Sequence, residues 1–304
     1  MIARDRPKEG HVIRAPVKRW AVRLLAGLLV LGLVGFWIRS SLLPAQTACV
    51  FLEYAEGSSW ERAPQSPLFE NGTLEFAGLE PIQVGGEDLG AWDEVVIVNF
   101  ESTADYQAFV GRIAAEESLA RYHLMEFSPN APEFLYFLNL RLRSYRGDES
   151  IDPGESAPLE EVVPDAKYAE RWSELFDGSY RGALVLLNLV SNQKDPQDPV
   201  GGPESDATTE ELHDRYRKKA LRVLGKMGAQ ISVAGTADGV VVGPEARNYD
   251  EYGFAFYPSV DAFEAVFTAR ERVDARVHRD AALSEEGSAG YWVKPYEEFT
   301  PGAR

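Results

Sequence analysis

The clearest alternation of apolar and polar positions lies in the last third of the chain. Residues 183–190 (ALVLLNLV) form a short apolar run bounded by glycine and by polar residues, the pattern of a buried strand. After a loop rich in Pro, Gly and Asp, Thr208 and Glu211 supply a capping box for a helix. Its apolar positions Leu212, Tyr216, Ala220, Val223 and Met227 recur every three or four residues, and Gly228 stops it. Residues 230–235, a turn at Asp238-Gly239 and residues 240–242 predict a hairpin. Residues 251–257 predict an aromatic strand. Ser259 then caps a second helix with Phe263, Val266, Phe267, Val273 and Val277 inward, and residues 290–296 supply a closing strand. This order is the ferredoxin-like, split βαβ arrangement.

An earlier stretch repeats the second half of that order. A strand over 95–100 leads to a helix capped by Ser102 and Asp105, with Tyr106, Phe109, Val110, Ile113, Ala120 and Leu124 inward, and a strand over 134–140 closes it. A shift of 157 residues aligns Trp92-Asp93-Glu94 with Tyr249-Asp250-Glu251, Phe100 with Tyr257, Ser102 with Ser259 and Tyr106 with Phe263. Upstream, residues 48–54 and 79–84 read as strands with no good helix between them. Residues 1–304 therefore divide into a basic tail (1–19), an apolar segment (20–43), a degenerate first unit (48–142), a Pro-punctuated linker with a short helix over 167–176 (143–179), and a second unit (180–299).

The apolar segment carries an uninterrupted run over 24–38, flanked by Arg23 and Arg39 with Trp20 and Trp37 toward its ends. That is the pattern of a transmembrane anchor whose flanking arginines snorkel. Basic residues before it place the N-terminus in the cytoplasm and the folded part outside a plasma (inner) membrane, in the periplasm or the extracellular space. Small residues at Pro44-Ala45 and Thr47-Ala48 leave a cleaved signal peptide as the alternative.

Charge narrows the partners. Residues 46–304 hold 23 basic and 46 acidic side chains, a net of −23 that disfavours nucleic acid. Cys49 is the single cysteine, so no internal disulfide or multi-thiolate metal site is available, and the four histidines show no zinc-ligand spacing.

Three sequence tokens then converge: GALVLLNLV, the segment YRKKALRVLGKMGAQISVAGTADGVVVGP, and YDEYGFAFYPSVDAFEAVF followed by HRDAAL. Together they resemble domain-of-unknown-function proteins of the dimeric α/β-barrel superfamily over about residues 180–298. The resemblance implies two ferredoxin-like units packed sheet to sheet, as a tandem repeat that closes an α/β barrel within one chain and leaves it monomeric. Its relatives range from monooxygenases and isomerases to haem proteins, so it does not choose an activity.

Candidate chemistry follows the same frame. His278 and Arg279, late in the second helix, have rough counterparts in His123 and Arg121, and an imidazole in a cavity between sheet and helix can accept a proton or bind a haem iron. Asn188 stands on an otherwise apolar strand, where an amide can orient a ligand. Tyr216 and Tyr252 offer hydroxyls to the same pocket. The expected function is binding of a small apolar ligand or of an envelope protein. The alternatives are a cofactor-independent oxygenase or isomerase with His278 or His123 as base, and a purely structural module.

Overall fold

Stretches such as Val95–Val98 are apolar on both faces, and a strand of that kind needs cover on each side. The structure, a computed structural model, meets the need with a closed barrel. It describes residues 44–58, 63–86, 90–129, 154–163, 166–200, 206–243, 249–284 and 288–300. The elements are β1 (Gln46–Tyr54), β2 (Thr73–Gly86), β3 (Glu94–Phe100), α1 (Thr103–Ala114), β4 (Leu119–Pro129), α2 (Leu159–Val162), α3 (Ala169–Asp177), β5 (Leu184–Val190), α4 (Thr209–Lys226), β6 (Gln230–Val242), β7 (Glu251–Tyr257), α5 (Val260–Thr268), α6 (Arg270–Ala282) and β8 (Ala289–Pro295).

Around the barrel the order is β1-β3-β2-β8-β5-β7-β6-β4, antiparallel throughout. Each half thus runs fourth, first, third, second strand. The halves join through their long second strands: β2 leaves β3 for β8, and β6 leaves β7 for β4. Inward side chains such as Phe51, Ile97, Leu187, Phe254 and Tyr291 fill the barrel, so its interior is a packed core. The outer face of each half carries a separate core under helices.

Several local patterns match across the 157-residue shift. β3 and β7 share their bounds under it. Ser102 Oγ accepts from Asp105 N at 3.1 Å, and Ser259 Oγ accepts from Ala262 N at 3.0 Å. Asp93 N donates to Leu52 O and Glu80 N to Asp93 O, while Asp250 N donates to Val190 O and Ala237 N to Asp250 O. In each half the aspartate side chain also accepts a backbone N–H, from Tyr54 at 2.8 Å and from Asn192 at 2.6 Å.

Four sequence expectations are corrected. The hairpin over 230–242 is one strand, because β4 supplies the second half of β6 with its partners and Ser128 Oγ holds Asp238 at 2.7 Å. The helix from Ser102 ends at Ala114, and residues 119–129, whose apolar positions satisfy both strand faces, form β4. The first unit's second strand spans Thr73–Gly86 rather than 79–84, since its far half pairs with β8. The last helix is two helices. At Ala269 the backbone is extended, and the linker segment takes over its hydrogen bonds, with Ala157 N donating to Thr268 O at 2.7 Å and Arg270 N to Glu155 O at 2.8 Å. The break re-aims α6, which leaves Val277 47% exposed rather than inward.

Where the second half has α4, the described residues of the first have two short 3₁₀ turns, Ala63–Gln65 and Pro67–Phe69. The predicted tail (1–19), anchor (20–43) and closing strand (134–140) lie outside the described residues. Among the described residues no helix is long and apolar enough to cross a membrane.

Candidate functional site

The two outer sheet faces are built on one register but filled differently. In the first half the row Leu124–Val50–Val96–Ala77 runs across β4, β1, β3 and β2, and every member is fully buried under α1 and the 3₁₀ turns. The corresponding row in the second half is Gly290–Asn188–Gly253–Ala234, extended by Gly85 on β2. Two glycines and an amide stand where the first half has Leu124, Val96 and Val50. A Cβ on Gly85 or Gly253 would meet nothing within 4 Å, and one on Gly290 only ordinary contacts near 3.9 Å. The helices therefore stand over open space, a cavity of about 770 Å³ with this row as its floor.

The capping box of α4 sets its phase, so that His213, Tyr216, Arg217 and Ala220 form a stripe over the floor. Arg272 and Arg279 sit two turns apart on α6 and close the other side. Arg272 is 6% exposed; its Nη1 donates to Phe267 O at 2.7 Å, which caps α5, and its guanidinium lies 3.9 Å from the Phe267 ring centroid. The linker helix α3 forms the end wall. Trp172 packs on Phe263 and Phe267 and donates Nε1–H to Val84 O at 3.0 Å, and Lys167 Nζ donates to Gly86 O at 3.1 Å.

Electrostatics give the site a sign. Among the described residues Lys167, Arg217, Arg272 and Arg279 line the cavity against one carboxylate, Glu251, whose Oε2 lies 3.9 Å from His213 Nδ1. Burial pushes the His213 imidazole below its ordinary value and favours the neutral ring, despite the opposing pull of Glu251 toward the protonated form. Burial alone would raise the Tyr216 phenol; the Arg272 and Arg279 charges and a hydrogen bond from Arg272 outweigh it and hold the group below its ordinary value. Tyr257 on the floor is raised, chiefly by burial.

Of the residues the sequence singled out, Asn188, Tyr216 and Arg279 line the cavity together, and Tyr252 contributes to its wall while its ring packs against Phe127 at 3.9 Å in the barrel interior. His278 lies on α6 outside the cavity lining. His123 and Arg121 are on β4 in the other half. His123 is 1% exposed, 6.3 Å from Phe51 and 6.4 Å from Trp92 between ring centroids, and Arg121 is exposed over Trp92 and bonded to Glu53 at 2.7 Å. Sequence reasoning missed His213, Arg217, Arg272, Glu251 and Lys167. The usable signal was the 157-residue alignment itself, which sets Gly253 against Val96. Among the described residues no group of three or more His, Cys, Asp or Glu side chains is placed to hold a metal ion.

No family model matches the chain. No curated protein matches it either. Among solved structures it is similar to a protein of unknown function from Rhodopseudomonas palustris, 24% identical over 44% of this chain and 96% of that one, with a TM-score of 0.39. It is also similar to a mutant chlorite dismutase from Candidatus Nitrospira defluvii, 11% identical over 85% of this chain and 94% of that one, TM-score 0.42. A third is a DypB variant from Rhodococcus jostii RHA1 in complex with heme, 9% identical over 85% and 95%, TM-score 0.39. At these identities and scores the activities and cofactors of those proteins do not transfer to this chain.

Proposed function

We propose that this protein binds a small, largely apolar molecule between the second half-sheet and helices α4 and α6, and that its two halves descend from one duplicated unit of which only the second kept an open face. One observation carries the reading. The same sheet row is Leu124, Val50 and Val96 under packed helices in one half, and Gly290, Asn188 and Gly253 under a cavity in the other. A volume of about 770 Å³ suits a ligand of drug-like size, and glycines in a strand interior are kept at a cost unless something approaches them closely. The anchor over 20–43 belongs to this reading and would hold the binding unit at a membrane surface.

The direct test gives the second half the first half's residues. Gly253→Val with Gly290→Leu fills the floor where space exists, so the double variant is expected to fold and melt at or above the parent while losing binding of an uncharged fluorescent probe such as 2-(2-naphthyl)ethanol. Retained binding in the folded variant would remove the cavity from the argument.

His213 favours a second reading. It is the one histidine on the cavity wall among the described residues, held neutral and beside a carboxylate, which is the state in which imidazole ligates iron. These residues fit a haem: His213 would offer the nitrogen, and Arg272 and Arg279 would meet its carboxylates. When bound, haem supplies redox chemistry. Titration of the purified protein with hemin decides, through a Soret shift that His213→Ala removes or through an unchanged free-hemin spectrum. An oxygenase or isomerase without cofactor would draw its base from His213 or Tyr216, which stand one turn apart on this wall.

A further inference from the structure

We propose that the ligand of this cavity is a monocarboxylate with an apolar body, and that Arg272 receives its charge; the inference rests on the cavity being the binding site. The cations on the wall differ in how they are matched. Arg217 reaches Asp214 at 3.3 Å, Arg279 reaches Asp280 at 3.3 Å, and Lys167 holds the Gly86 carbonyl. Arg272 is the deepest, and it has no carboxylate within ion-pair distance among the described residues: a backbone carbonyl, a ring face and the Tyr216 phenol are its partners. A buried guanidinium is ordinarily paired, because an uncompensated buried charge is strongly destabilising. Here no carboxylate among the described residues pairs it, and the guanidinium lines the cavity.

The surroundings define the rest of the ligand. Leu186, Ala255, Leu221, Leu224 and Trp172 present hydrocarbon to the cavity, so the bulk of the bound molecule is apolar. Asn188 offers an amide within the glycine row to one neutral polar group. Among the described residues Arg217 and Arg279 have acidic neighbours and Arg272 has none, which points to one anionic group on the ligand, and Glu251 at the His213 side would repel a second carboxylate. In a folded part with a net charge of −23, the described residues gather four cationic side chains, Lys167, Arg217, Arg272 and Arg279, around this cavity.

Three probes of one shape separate the possibilities on the full chain: 2-naphthylacetate, 2-(2-naphthyl)ethanol and 2-(2-naphthyl)ethylammonium, measured by calorimetry at neutral pH. The carboxylate is expected to bind about tenfold or more tighter than the alcohol, with the ammonium weakest. Arg272→Met should lower carboxylate affinity about tenfold or more and leave the alcohol nearly unchanged, with Arg272→Lys restoring part of the loss. If Arg272→Met does not fold, Arg272→Gln, which keeps a donor for the Phe267 carbonyl, takes its place. Equal binding of alcohol and carboxylate, or unchanged carboxylate affinity in a folded Arg272 variant, overturns the charge assignment and leaves the cavity reading standing. No binding of any probe, with Gly253→Val/Gly290→Leu indistinguishable from the parent, takes down both.

Discussion

Glu94 and Glu251 occupy the same position at the start of equivalent strands, yet one is sealed and the other stands open to the cavity. Glu94 is fully buried. It accepts from Tyr54 Oη and Tyr296 Oη at 2.7 Å each and from Ala63 N at 3.1 Å, so this carboxyl anchors the turn that replaces a helix in the first half. Glu251 lines the cavity across from His213. The same register position is thus sealed in the first half and stands at the cavity in the second.

That contrast sets the first expectation. Glu94→Ala removes the acceptor of three hydrogen bonds, two of them from the buried Tyr296 Oη and Ala63 N, so it should lower unfolding free energy by about 3 kcal/mol. Glu251→Ala should change it by less than about 1 kcal/mol. Chemical denaturation of both variants checks this, and equal losses would contradict the sealed-against-open contrast.

Acid should act through His213. Its folded value lies below the unfolded value of about 6.5, so below that pH the unfolded chain takes a proton that the folded chain refuses. Stability from this source is intact above about pH 6.5 and is lost as pH falls toward the folded value. Melting temperatures between pH 7.5 and 5.5 should therefore drop more steeply for the parent than for His213→Asn; parallel curves would show that His213 does not titrate as its burial requires.

Arg272 and Tyr216 predict a spectroscopic signature. The phenol ionises below its ordinary value because two guanidiniums outweigh its burial, so the parent should show a phenolate absorbance step that is missing in Tyr216→Phe and moved to higher pH in Arg272→Met.

Trp172 ties the linker to the site. It is 1% exposed, packed on Phe263 and Phe267 and bonded to the Val84 carbonyl. Trp172→Ala should cost about 3 to 5 kcal/mol and loosen the cavity's end wall, seen as weaker probe binding under conditions where the variant remains folded. A loss under about 1 kcal/mol would mean α3 is not part of the second half's core.

Local grammar determined much of this molecule from the sequence by itself. Ser102, Thr208 and Ser259 start helices where their side chains can accept the first free N–H groups, and the apolar runs at β1, β3, β5 and β7 are strands because both of their faces are covered. Asn188 is legible as a candidate because a polar group in an apolar strand has to be explained, Arg279 through its rough counterpart Arg121 in the first half, and Tyr216 through the hydroxyl it can offer. What the tertiary structure alone decided is who pairs with whom. β6 became one strand since β4, more than 100 residues earlier, holds its second half, and the last helix broke at Ala269 since the distant linker segment supplies the hydrogen bonds there. The cavity belongs to that class as well. No local rule brings Arg272 beside Tyr216 over Gly253; only packing of α4 and α6 against a floor that lacks side chains does so, and burial then sets the charge and protonation of the groups it encloses.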